Sequence, residues 1–229
     1  IYYFGLIIAL PLTQRQNPLK KENKMKLFLT LLSLVSLQTC ISRTPPVDRN
    51  ESIWEPPKNE QKDLSKAYFA SGCFWCVEAI FESVKGVDEV YSGYAGGETK
   101  NPNYNQIGTG RTGHAEAVEV HYDPKVVSFG TLVQVFFGSH DPTTANRQGP
   151  DRGSQYRSIA FYQNDKEREM IQDYIALLEE KEIFSKPIVT EVEKLEKFYF
   201  AEEYHQDYEK RNPNNPYVRS VSIPRLRKF

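Results

Sequence analysis

The stretch His114 to Asp123, HAEAVEVHYD, constrains the fold more than any other part of this chain. Val118, Val120 and Tyr122 fall on one face of an extended segment, and Ala117, Glu119 and His121 on the other, the period-two pattern of a strand with a buried face. Ser128 then opens a run in which Phe129, Leu132, Val133, Phe136 and Phe137 recur at i, i+3, i+4, i+7 and i+8, the stripe of a capped amphipathic helix. The same mixture continues on both sides. Lys66 to Ala70 suits a short strand, and Phe74, Val77, Ile80, Phe81 and Val84 make a helical face that Gly86 ends. Val87 to Tyr94 and Ser158 to Gln163 read as strands, and Asn164 with Glu167 opens a helix to about Lys181. A strand near Ile188–Leu195 and a short helix near Glu202–Lys210 complete the set. Strands and helices mix without strict alternation, so the expected class is α+β: a two-layer sandwich with a mixed sheet, helices packed on it, and long loops at 95–113 and 140–157.

Residues 66–229 are expected to hold this fold. The segment 1–24 lacks a Met at position 1 and is expected to be non-native sequence upstream of the true start. From 25 to 40, Met25 and Lys26 precede the apolar run Leu27 to Leu37 and a boundary at Cys40, which resembles a bacterial lipoprotein signal, too short to span a bilayer. That resemblance implies a lipid anchor on Cys40 and a place in the cell envelope, periplasmic or membrane-tethered. Ordinary secretion, or a cytoplasmic protein with an unused segment, are the alternatives. Residues 41–65, with Pro45, Pro46, Pro56 and Pro57 among charges, read as a solvated tether.

A net charge of −1 gives no reason to expect a nucleic acid partner. Three cysteines cannot make a disulfide framework, so each needs its own explanation. Cys73 and Cys76 sit in SGCFWCVEAIFE at a helix start, beside unpaired N–H groups and the positive end of the dipole, where a thiolate is favoured. Cys76 lies on the same side, close enough to attack an oxidised Cys73. The pair reads as a redox site first, with two small core hydrophobes or half of a metal site as the alternatives. Glu116 is in phase with the inward residues of its strand, where desolvation raises a carboxyl's pKa and keeps a proton available for acid catalysis.

GCFWC at 72–76, NPNY at 101–104, TGHAEAV at 112–118, DPTTANRQGPDRGSQYRS at 141–158 and AEEYHQDY at 201–208 together resemble the peptide-methionine (S)-S-oxide reductases, the A-type enzymes, over about two-thirds of the chain. The resemblance implies that Cys73 attacks the sulfoxide sulfur and that Glu116 protonates its oxygen. Tyr104, Tyr156 and Asp151 would complete the polar cluster, and Phe74 and Trp75 would hold the substrate's methyl group. It implies substrates that are methionine sulfoxide in proteins or as the free amino acid. No metal, flavin or nicotinamide site is visible in the sequence, so a thioredoxin-like dithiol donor is expected, and a monomer. Many relatives carry a resolving cysteine near the C-terminus, but here Val218 stands at that place in NNPYVRS. If resolution is intramolecular, Cys76 is the candidate resolving thiol in the mature domain besides a tethered Cys40, and the expectation is a Cys73–Cys76 disulfide.

Two other functions fit parts of the pattern. A general thiol–disulfide oxidoreductase shares the C-x-x-C but has no need of Glu116 or the tyrosines. A zinc site would draw on Cys73, Cys76 and His114, with H-x-E and C-x-x-C in the reverse of the deaminase order. His121, His140 and His205 read as structural or surface groups, and the basic end RLRK at 225–228 as a solvated tail.

Overall fold

The computed structural model describes residues 54–57 and 63–229. The segments read as an export signal and as sequence upstream of the true start, with Cys40, lie outside the described residues. Along the chain run β1 (Ser65–Ser71), α1 (Phe74–Glu82), β2 (Val87–Ala95), α2 (Tyr104–Ile107), β3 (Ala115–Tyr122) and α3 (Phe129–Gly138). They are followed by β4 (Arg147–Gln148), β5 (Asp151–Arg152), β6 (Ser158–Tyr162), α4 (Asp165–Glu180), β7 (Glu191–Lys194), β8 (Phe198–Phe200), α5 (Tyr208–Arg211) and α6 (Ile223–Lys228).

Six strands form one sheet in the order β7-β6-β1-β3-β2-β8, and β4 and β5 make a separate two-stranded ribbon. Neighbours in the large sheet run antiparallel except β6 and β7, so the sheet is mixed as expected. The alternation of β3 decides its register. Val118 and Val120 lie opposite Phe69 and Ala67 of β1, and opposite Ser92 and Val90 of β2. That face carries the main core, with Val77, Ile80 and Phe81 from α1, Leu132, Val133, Phe136 and Phe137 from α3, and Ile171 and Leu178 from α4. Phe69 stacks between Phe81 at 5.0 Å and Phe136 at 5.1 Å. Burying each such ring contributes about 1.5–3 kcal/mol. The opposite face is thinner, built on Ala70, Ala95, Ala115, Ala117, Tyr68, Ile159 and Phe161.

Caps fix the helix starts where the sequence places them. Ser128 accepts the Thr131 N–H and Asn164 the Glu167 N–H. Four expectations are corrected. The loop 95–113 contains α2, opened by a reciprocal Asn103–Gln106 capping box. The loop 140–157 contains the β4–β5 ribbon, and the short helix near 202–210 is a tight turn followed by α5. The tail at 225–228 belongs to α6, and Arg225 reaches back to donate to the Ser139 carbonyl at 2.9 Å. Within the stretch read as a solvated tether, Trp54 packs 5.9 Å from both Tyr91 and Phe200.

Candidate active site

β1 ends beside the site, and Gly72, at φ +89°, turns the chain from strand into helix. A Cβ at that position would lie 2.5 Å from the Gln148 Cβ, so only glycine lets the ribbon loop approach so closely. Cys73 is the N-cap residue of α1 and makes no side-chain cap. The adjacent Phe74 N–H donates instead to Glu116 Oε2 at 3.1 Å. Glu116 comes from β3, opposite Tyr94 of β2, and is 2% exposed. Burial pushes its carboxyl up to about 8, opposed by the Phe74 N–H and reinforced by Asp151 and Cys76. It therefore carries a proton at neutral pH.

This arrangement corrects the expectation that the helix start makes Cys73 a resting thiolate. The nearest helix donor serves the carboxyl rather than the sulfur. Burial, then the hydrogen bond to Cys76 and the charge of Glu116, push the Cys73 thiol well above its ordinary range. Cys76 goes the other way. The bond from Cys73 draws its thiol down against burial, helped by the Arg225 charge and by hydroxyls of Ser222 and Tyr217. Both sulfurs are free, buried thiols whose titrations act on each other.

Asp151, in the ribbon, accepts a hydrogen bond from the Tyr217 hydroxyl at 2.6 Å, and the same hydroxyl lies 3.9 Å from Cys76 Sγ. Tyr104 opens α2 and Tyr156 sits in the turn before β6. Both phenols are half-buried and feel the charges of Glu116, Cys73 and Asp151. Burial leads in raising both pKa values, that of Tyr104 to about 12, so each remains an O–H donor. The structure thus brings Cys73, Cys76, Glu116, Tyr104, Tyr156 and Asp151 into one cluster.

Phe74 is fully buried, with its ring 5.9 Å from Tyr94 and 5.0 Å from His205. Trp75 is half-buried, stacked on Tyr208 at 3.6 Å, and its indole N–H donates to His205 Nδ1 at 3.1 Å. Burial holds His205 neutral, with its pKa down to about 4. Two residues escaped the sequence reading. Glu202 accepts the Tyr104 N–H and the Tyr94 hydroxyl, each at 2.9 Å, and so fixes the start of α2. Tyr217 sits one residue before the position searched for a third cysteine, and its own role left no local signal. His114 does not join the cysteines. Its ring is engaged with the Gly97 N–H at 3.1 Å and the Thr99 carbonyl at 2.8 Å. Among the described residues the His, Cys, Asp and Glu groups close enough together to hold an ion are Glu78, Glu82 and Asp207, a set that includes neither thiol.

The sequence pattern described as peptide methionine sulfoxide reductase matches residues 65–229. The chain belongs to that family. It is 53% identical over 163 residues to the peptide methionine sulfoxide reductase MsrA 1 of Rhodopirellula baltica, covering 71% of this chain and 84% of that one. It is 52% identical over 160 residues to the Natronomonas pharaonis MsrA, covering 70% and 90%. Among solved structures, reduced Mxr1 from Saccharomyces cerevisiae aligns with a TM-score of 0.63 at 35% identity, over 66% of this chain and 87% of that one. The Corynebacterium diphtheriae methionine sulfoxide reductase A aligns at 0.60 and 37% identity, over 67% and 77%. As a member of this family the reductase is an oxidoreductase of the peptide-methionine (S)-S-oxide type, dependent on thiols. This sets aside the general thiol–disulfide oxidoreductase.

Proposed function

We propose that the reductase works through Cys73, Glu116 and Cys76 in sequence. Cys73, losing its proton to Cys76, attacks the sulfoxide sulfur while Glu116 gives its proton to the oxygen. Methionine leaves, and the oxygen stays on Cys73 as a sulfenic acid. Tyr104 and Tyr156 hold the sulfoxide oxygen with their hydroxyls, Asp151 supports the cluster, and Phe74 and Trp75 hold the methyl group. Cys76 then closes a disulfide on Cys73, and a thioredoxin-like dithiol reduces it. The neutral carboxyl of Glu116 at the start of α1 carries this reading, because a sulfoxide oxygen is a poor leaving group until protonated. The charged start at Lys26, the apolar run and Cys40 support a place in the cell envelope, where the donor would be a dedicated partner.

The test is a peptide bearing racemic methionine sulfoxide with excess dithiothreitol, each epimer followed by chiral chromatography. Only the S epimer should be consumed. Cys73→Ser should abolish turnover and Glu116→Gln should cripple it. Cys76→Ser should turn over with dithiothreitol and fail with thioredoxin. Full activity in Glu116→Gln would overturn the assignment of the acid.

A further inference from the structure

We propose that Arg225 of α6 is a positioning residue for the resolving step, its guanidinium holding the Cys76 sulfur as the thiolate that attacks oxidised Cys73. This rests on the reading of Cys76 as the resolving thiol. The guanidinium is clamped from two directions. Nε donates to the Ser139 carbonyl at 2.9 Å, and Nη2 to Ser71 Oγ, at the end of β1, at 3.2 Å. Nη1 stands 3.7 Å from where a Gly72 Cβ would be, so the group lies against the turn that leads into α1. Both hydrogen-bond acceptors are neutral oxygens, which leaves the positive charge uncompensated by them. Arg225 and Cys76 also line one cavity of about 790 Å³, together with Asp151 and Tyr217.

The groups around Cys76 do not agree on its charge. Cys73, at the start of α1, favours the Cys76 thiolate, and the Cys76 charge in turn helps keep Glu116 of β3 protonated. Asp151 of the ribbon bonds to Tyr217 and also faces Arg225, whose charge lowers its carboxyl against burial, so the guanidinium is shared between this carboxylate and Cys76. His140, in the same cavity, is held neutral by burial and by Arg225 itself, its pKa down to about 3. Asp141 and Lys228 lie further along the cavity wall. Arg225 and the Ser222 and Tyr217 hydroxyls favour the thiolate against burial.

The step balances with the groups present. The Cys76 thiolate attacks the sulfur of Cys73–S–OH, the S–S bond forms and the S–O bond breaks. Cys76, which took the Cys73 proton in the first step, gives it to the Glu116 carboxylate as it becomes the thiolate. The leaving oxygen takes that proton from Glu116 and departs as water. Cys76 is oxidised and the Cys73 sulfur reduced to the disulfide level, with the sulfoxide already supplied as oxidant.

The experiment titrates Cys76 by ultraviolet thiolate absorbance in the full chain carrying Cys73→Ser, with and without Arg225→Gln or Arg225→Lys. Disulfide formation is then timed with Cys73 present, by tryptophan fluorescence after one equivalent of peptide sulfoxide. Arg225→Gln should raise the Cys76 titration midpoint by about one unit and slow disulfide formation about tenfold at neutral pH. Arg225→Lys breaks the clamp but keeps the charge, so it should recover most of both; a purely structural role predicts that it fails as badly as Gln. Ser71→Ala, which loosens the clamp alone, should give a smaller shift and serves if Arg225→Gln does not fold. An unmoved Cys76 midpoint in Arg225→Gln, or in Ser71→Ala where Arg225→Gln does not fold, overturns the role of Arg225. Continued thioredoxin-supported turnover in Cys76→Ser overturns the resolving role beneath it, and the two failures are separable.

Discussion

Glu116 and Cys73 show how differently two neighbours in space are written in a sequence. The inward phase of Glu116 is visible within ten residues, because a strand alternates strictly and its apolar face is plain. The protonation of Cys73 is not visible, because it is set by burial, by its partner thiol, and by the Glu116 carboxyl brought in from another element. Tyr217 was unreadable for the same reason, its partner Asp151 lying 66 residues upstream. Glu116 acts as an acid only while it holds its proton, so chemistry-limited turnover should fall as pH climbs through about 8. In Glu116→Gln that alkaline limb should vanish along with about 10²–10⁴-fold of the rate, as a pH–rate profile would show. Tyr217→Phe removes a bond to a carboxylate and should cost about 1–2 kcal/mol in chemical denaturation, with the Cys76 titration moving upward.

At the scale of elements, long periodic segments were legible and short ones were not. The helices α3 and α4 and the strands β1, β2, β3 and β6 fall where alternation or a stripe places them. β8 has three residues and α6 six, too few to show a period, and both are held by what they pack on rather than by propensity. β8 matters to the site because it pairs with β2 and leads directly into Glu202, which anchors Tyr104. That pairing depends on Gly93. A Cβ there would lie 2.2 Å from Phe198 Cζ and 2.4 Å from the Tyr199 carbonyl oxygen, a backbone atom that cannot swing away. Gly93→Ala should therefore lower stability by about 1–3 kcal/mol. It should also reduce kcat/KM through a displaced Tyr104, and adding Glu202→Ala should then cost less than it does in the wild type.

The whole molecule carries buried titratable groups of opposite habit. Glu116 and Glu78 are raised by burial from 4.5 to about 8, so the native state holds their protons where the unfolded chain has released them. Their contribution falls as pH rises from about 4.5 to 8. His140 and His205 are lowered by burial from 6.5 to about 3 and 4, and their contribution falls as pH drops below 6.5. Between about 4.5 and 6.5 the proton counts of the four cancel, so stability from these groups should be flat there and decline on either side. Guanidinium denaturation at a series of pH values would show it. Glu78→Gln with Glu116→Gln should abolish the alkaline decline and tilt the plateau upward with pH. The overall class, α+β with a mixed sheet, was readable because every long segment pointed to it. The closing of the C-terminal segment over Cys76 was not, because it is decided by packing between the two ends of the domain.

The sheet's two outer strands, of four and three residues, have a bearing on solubility. An enzyme that handles oxidised, loosened chains meets exposed backbone that is ready to add itself to any open edge. β7 offers little edge and bears Glu191, Glu193 and Lys194 along it, while β8 ends after Phe200. Neither gives a foreign strand the length to grow on, so the molecule can work among aggregation-prone proteins without becoming the template for their deposit.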